Sequence, residues 1–287
     1  MYYPGTILLA LVIIIAAILL AVHIGFRAPR RIERNSPADY GLAYEAIHIR
    51  TVTGKQLFAW WLPVAKPAPT LVVLHGWGGN AGLMLPLAVP IHRAGLNILL
   101  LDARNHGRSD SANFSSLPRF AEDAGAAVDW VKVHGRDPRK RVALLGHTVG
   151  AGAVLLEASR RDDIAAVISI AAFAHPEWMM RRYLDRFRVP GFLKTWILRY
   201  IEWVIGHRYT EIAPMNTACR VQCPTLLVHG MADETVPVTD AYAIREHCPG
   251  EKPELLLIED GTHDSVEEFE HHADRLVAFL KQTEIMS

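Results

Sequence analysis

RVALLGHTVGAG, residues 141–152, decides how the rest of the chain is read. A short apolar run at 142–145 ends at Gly146, and small residues from Gly150 onward continue with helical spacing, so a strand turns sharply into a helix. The turn itself, Gly146-His147-Thr148-Val149-Gly150, has the G-x-S-x-G pattern with Thr where Ser is expected. Its two glycines have a steric reason, because side chains flanking so tight a turn would collide with the neighbouring strand and helix. Residue 148 is thereby held at the tip, with its hydroxyl above the end of a sheet. Whether that hydroxyl is chemically useful depends on partners from elsewhere in the chain.

A chain of 287 residues, 51% apolar, can bury one large α/β core with a small appendage. Its formal net charge is zero, which gives no electrostatic footprint for a nucleic-acid partner. Cys219, Cys223 and Cys248 are too few and too irregularly spaced for a disulfide framework or a zinc site, so buried thiols in a reducing compartment are expected.

The first residues differ in kind. Residues 6–24 are almost wholly Ala, Leu, Ile and Val, enough as a helix to cross a hydrocarbon layer of about 30 Å. No basic residue precedes the run, as a cleaved signal would require, whereas Arg27, Arg30, Arg31 and Arg34 follow it. A single-pass anchor over 1–27 is expected, with the remainder on the cytoplasmic side by the positive-inside rule. A linker at 28–40 then leads into a globular region at 41–287.

In that region, residues 44–51 alternate and 56–62 read as the return strand of a hairpin. Apolar runs follow at 70–74, 97–101, 142–145, 164–170, 225–228 and 254–258, separated by helical periodicity near 82–93, 117–133, 150–160, 239–247 and 267–282. Strands alternating with helices predict a mostly parallel sheet of about eight strands, covered by helices on both faces and opened by an antiparallel hairpin.

Four further motifs stand at strand ends: Leu74-His75-Gly76-Trp77-Gly78-Gly79, Asp102-Ala103-Arg104-Asn105-His106-Gly107-Arg108-Ser109, His229-Gly230-Met231-Ala232-Asp233-Glu234-Thr235-Val236-Pro237 and Asp260-Gly261-Thr262-His263-Asp264. Together with the turn at 148 they make the chain resemble the α/β hydrolases from about residue 44 onward. The resemblance implies an α/β-hydrolase fold with Thr148 as nucleophile, Asp233 as acid and His263 as base, in the family's chain order. Glu234 and Glu177 are fallback acids. The resemblance also implies that backbone N–H groups of Trp77 and Val149 form the oxyanion hole, and that the loop at 102–109 supports the site. No Ser elsewhere is framed to replace Thr148, although Ser109, Ser111, Ser159 and Ser169 are present. His271 and His272 lack further ligands at metal spacing, so no metal or organic cofactor is expected.

Thr148 is the departure from the pattern. A hydroxyl with an adjacent base is a competent nucleophile, but the β-branch stiffens a residue that the turn already strains. Two functions therefore stand: a hydrolase cleaving a carboxylic ester, thioester or amide, or a silent scaffold that binds an apolar ligand or partner. The insertion at 174–216 reads as a helical cap. Phe192, Leu193, Trp196, Ile197, Tyr200, Ile201 and Val204 share one helical face, and Arg181, Arg182, Arg186, Arg188, Lys194, Arg199 and Arg208 make the insertion basic. Such a cap beside a membrane suggests a lipid or long-chain ester as substrate.

Overall fold

The computed structural model of this chain describes residues 4–32, 34–263, 270–283 and 285. After the apolar helix α1 (Pro4–Gly25), the sheet opens with the antiparallel pair β1 (Glu45–Arg50) and β2 (Gln56–Leu62). There follow β3 (Thr70–Leu74), α2 (Leu85–Arg93), β4 (Asn97–Leu101), α3 (Leu117–His134), β5 (Val142–His147), α4 (Val149–Ala158) and β6 (Ala166–Ile170). The cap comprises α5 (Pro176–Arg186), α6 (Gly191–Ile205) and the single turns α7 (Tyr209–Ile212) and α8 (Pro214–Thr217). The chain then completes the sheet with β7 (Thr225–Gly230), α9 (Thr239–His247), β8 (Glu254–Ile258) and α10 (Ala273–Gln282).

The eight strands lie in the order β1-β2-β4-β3-β5-β6-β7-β8, with β3 to β8 parallel. Every residue of β3, β4 and β5 is buried. A sheet covered on both faces needs such continuous apolar runs, and the period of two sends neighbours to opposite layers. Val142 and Leu144 thus join the core formed with α3, α4 and Ile244 of α9, while Ala143 and Leu145 join the core formed with α2 and α10.

Strands β5 and β7 extend to His147 and Gly230, beyond the apolar runs, because ladder hydrogen bonds do not require apolar side chains. The helix expected at 267–282 is described from Ala273, and residues 264–269, including Asp264, lie outside the described residues.

The linker at 28–40 docks on the domain: Ala28 is buried, and Arg30 Nη1 donates to the carbonyls of Gly107 at 2.7 Å and Ser109 at 2.8 Å. Carbonyl acceptors carry no residue-type signature, so the sequence does not reveal this docking. One expectation is corrected: not all three cysteines are thiols. Cys219 and Cys248 form a disulfide with Cα atoms 4.9 Å apart, one following α8 and the other ending α9, which pack together. Cys223 is free and half-buried, and burial pushes its thiol up to about 11.

Candidate active site

Thr148 joins β5 to α4 at φ 55° and ψ −112°. Positive φ at a β-branched residue costs on the order of 1–3 kcal/mol, so the surroundings must impose it. Thr148 N–H donates to Ile170 O at 2.9 Å, and its carbonyl accepts from Gly152 N–H at 3.2 Å. The flanking glycines are obligatory: a Cβ at Gly146 would lie 2.2 Å from Gly150 O, and one at Gly150 would lie 2.5 Å from His75 O.

Above the turn, Thr148 Oγ1 lies 3.2 Å from His263 Nε2, and His263 Nδ1 lies 2.8 Å from Asp233 Oδ2. These residues come from β5, β8 and β7, whose ends approach through bare backbone. A Cβ at Gly230 would lie 2.0 Å from Gly261 O, and Ala232 N–H donates to that same oxygen at 3.1 Å. The other oxygen of Asp233 accepts the N–H groups of Thr235 at 2.9 Å and Val236 at 2.7 Å. Burial alone would raise this carboxyl's pKa, but the hydrogen bonds from His263 and Val236 hold it below the ordinary value. Asp233 is therefore an acceptor-only carboxylate. It keeps the proton of His263 on Nδ1 and leaves the Nε2 lone pair facing Thr148.

The loop after β3 crosses directly over the hydroxyl, since a Cβ at Gly76 would lie 3.2 Å from Thr148 Oγ1. Trp77 follows in that loop, and Val149 opens α4, where no intrahelical acceptor is available to its N–H. Neither backbone N–H has a hydrogen-bond partner among the described residues.

Two buried imidazoles brace this loop. His106 Nε2 accepts from Gly78 N–H at 3.1 Å, and His75 Nε2 accepts from Ala103 N–H at 3.1 Å. Each ring's Nδ1–H correspondingly donates to a carbonyl, that of Arg104 at 2.9 Å and Gly76 at 2.7 Å. Burial lowers both rings to about 4, so both are neutral near pH 7, as these bonds require. Asp102 completes the support by accepting from Ala81 N–H at 2.7 Å and Arg108 N–H at 2.8 Å.

The fallback acids have other positions or partners. Glu177 pairs with Arg181 at 2.7 Å at the start of α5, and the carboxylate on His263 is that of Asp233, not Glu234. Sequence reasoning did not single out His147. Its Nδ1 lies 3.2 Å from Thr148 Oγ1 and its Nε2 lies 3.0 Å from His263 O, so a second imidazole touches the hydroxyl. The only available signal was its position next to residue 148.

The cap is less positive than its composition suggests. Arg181 pairs with Glu177, Arg182 with buried Asp240, Lys194 with Asp185 and Arg199 with Glu202. Glu177 stands four residues before Arg181, just ahead of the basic stretch, whereas Asp240 lies on α9, 58 residues from Arg182 and too far along the chain for a local charge count to include it.

Residues 65–217 match the model of a family described as serine aminopeptidase, S33. The protein YfhR of Salmonella typhimurium is 26% identical over 238 residues, covering 76% of this chain and 74% of YfhR. Protein bem46 of Schizosaccharomyces pombe is 23% identical over 257 residues, covering 87% of this chain and 81% of bem46. Among solved structures, the Pyrococcus furiosus esterase Pf2001 superposes with a TM-score of 0.74 over 90% of this chain and 97% of the esterase. At 22% identity, that likeness is one of fold.

Proposed function

The chain belongs to the serine aminopeptidase, S33 family of α/β hydrolases, and from that membership we propose that it is a membrane-anchored hydrolase that cleaves a carboxylic ester through an acyl-enzyme on Thr148. The observation that carries this reading is the continuous relay from Thr148 Oγ1 through His263 to Asp233, at 3.2 and 2.8 Å.

In this mechanism His263 Nε2 takes the hydroxyl proton as Oγ1 bonds to the ester carbonyl carbon. The carbonyl oxygen becomes an oxyanion, received by the N–H groups of Trp77 and Val149, and each such donor stabilises the transition state by about 3–4 kcal/mol. Asp233 stabilises the imidazolium. His263 then returns the proton to the departing alkoxide, which leaves as the alcohol. Water, deprotonated by His263, attacks the acyl-Thr148 ester, and its collapse releases the acid and restores the hydroxyl.

A fluorophosphonate probe tests the assignment directly. Mass spectrometry should locate the adduct on Thr148, and His263→Ala should abolish it. Ester turnover unchanged in Thr148→Ala would refute the nucleophile. Thr148→Ser should match or exceed the parent, because it removes only the methyl group; a tenfold fall would mean that the pocket is shaped around that methyl. The strained β-branched residue at position 148 favours one rival, a scaffold that binds an apolar ligand without turnover. Absence of an adduct in both the parent and Thr148→Ser would select it.

The apolar helix α1 is read as a retained anchor because Ile18 and Val22 on one of its faces, with Phe26 just past its end, pack against the cap. Arg27, Arg30, Arg31 and Arg34 after it favour a cytoplasmic catalytic domain. The Cys219–Cys248 disulfide favours an oxidising compartment instead.

A further inference from the structure

α1 has 22 residues, about 33 Å of helix, against a hydrocarbon layer of about 30 Å. Nearly its whole length is needed to span. Yet its last two turns are already occupied: Ile18 and Val22, with Phe26 one residue past the helix end, face a cluster of Ile197, Leu198 and Ile201 from α6 and Tyr209 from α7. Ile18 lies seven residues before the end of the helix, about 10 Å along its axis. A spanning α1 therefore draws whatever packs on Ile18 to the level of the acyl chains.

The outward surfaces of the cap suit that depth. Phe192 and Trp203 of α6 are 82% and 76% exposed and Phe187, just past α5, 65%, with Trp178 and Tyr183 of α5 and Trp196 of α6 also exposed. Trp196, Tyr200 and Trp203 stack in succession at centroid spacings of 6.0 and 5.8 Å, and Tyr200 lies 6.4 Å from His23 of α1. Aromatic residues so placed beside a membrane helix are the side chains that favour the headgroup boundary. Most of the cap's cations are already paired, so apolar insertion rather than attraction to anionic lipid is the dominant contribution.

We propose that α5 and α6 lie in the bilayer interface, clasped to α1, with Phe187, Phe192 and Trp203 inserted to the acyl boundary. The inference rests on α1 being a retained span. It also locates the mouth of the site: Phe26 meets Trp77 edge-on at 6.3 Å, and Trp77 belongs to the loop that crosses Thr148. On the hydrolase reading, the substrate is an acyl ester resident in the membrane, which reaches Thr148 sideways from the lipid without crossing water.

The test uses the full chain in phosphatidylcholine vesicles, with and without phosphatidylglycerol, in a Cys223→Ser background. Nitroxide labels are placed singly through Phe192→Cys, Trp203→Cys, Ile13→Cys in α1 and Val133→Cys. The last lies at the end of α3, which runs back to the edge of the sheet opposite the site. Power saturation compares collision with oxygen, concentrated in lipid, and with a water-soluble nickel chelate. The labels at 192 and 203 should favour oxygen as the label at 13 does, in both lipid mixtures, while the label at 133 favours nickel.

Labels at 192 and 203 in water with the label at 13 in lipid would overturn the cap placement and leave the anchor standing. All four in water would overturn both. The Phe192→Asp/Trp203→Asp double variant should lower the ratio of turnover on a vesicle-borne long-chain ester to that on a soluble short ester at least tenfold; an unchanged ratio would refute lateral entry. Loss of turnover on every ester in the parent would fault the hydrolase reading while leaving the label result decisive for the cap.

Discussion

Asp233→Asn separates a working relay from a fortuitous contact. In the parent, Oδ1 takes two backbone N–H groups and Oδ2 takes the Nδ1 proton of His263. The new amide oxygen can keep the N–H pair of Thr235 and Val236, so the turn retains its shape. Its NH2 then faces Nδ1, a donor against a donor, and the ring relieves the clash by moving its proton to Nε2. That atom, 3.2 Å from Thr148 Oγ1, can no longer accept the hydroxyl proton. In serine triads the wrong tautomer costs about 10,000-fold in kcat, or about 5 kcal/mol of barrier. Stability should fall far less, by about 1–2 kcal/mol, because only one charge-assisted bond is lost. The assay pairs kcat on a short nitrophenyl ester with a thermal melt of the same preparation. A loss of less than tenfold in kcat with Tm intact would refute the proposed role of Asp233.

Other outcomes follow from the same structure. Gly230→Ala puts a methyl 2.0 Å from Gly261 O, so β7 and β8 must part; a loss of about 3 kcal/mol in urea unfolding is expected, together with loss of ester turnover. His75 and His106 titrate near 4 in the fold against 6.5 when unfolded. Between those values the unfolded chain binds the protons and the folded chain does not. Their contribution to stability, about 3 kcal/mol for the first ring to charge, is therefore present above pH 6.5 and lost as pH falls towards 4. Nitrogen-15 shifts should show both rings neutral, with Nε2 unprotonated, down to about pH 5; protonation near pH 6.5 would contradict the bracing. Maleimide labelling of denatured, unreduced protein should find one thiol, Cys223, and three would rule out the disulfide in that compartment. Cys219→Ser should cost up to about 3.5 kcal/mol where the bridge forms, by release of a loop spanning 29 residues.

The sequence alone determined the α/β alternation, because a sheet buried on both faces requires continuous apolar runs and its covering helices require their own period. It also made the turn at 146–150 readable, because the glycines there answer local collisions that any observer of the chain can anticipate. Tertiary structure decided what distance along the chain conceals: the convergence of Thr148, Asp233 and His263, the bond from Gly78 to His106, the pairing of Cys219 with Cys248, and the use of Arg30 and Arg182 as fasteners. The apolar face of α6 shows the division most clearly. Periodicity placed Ile197 and Ile201 on its apolar stripe, but only three-dimensional packing set them with Leu198 against Ile18, Val22 and Phe26 and left Phe192 and Trp196 of the same stripe exposed, since burial against the sheet or against another helix draws on the same apolar residues at the same spacing.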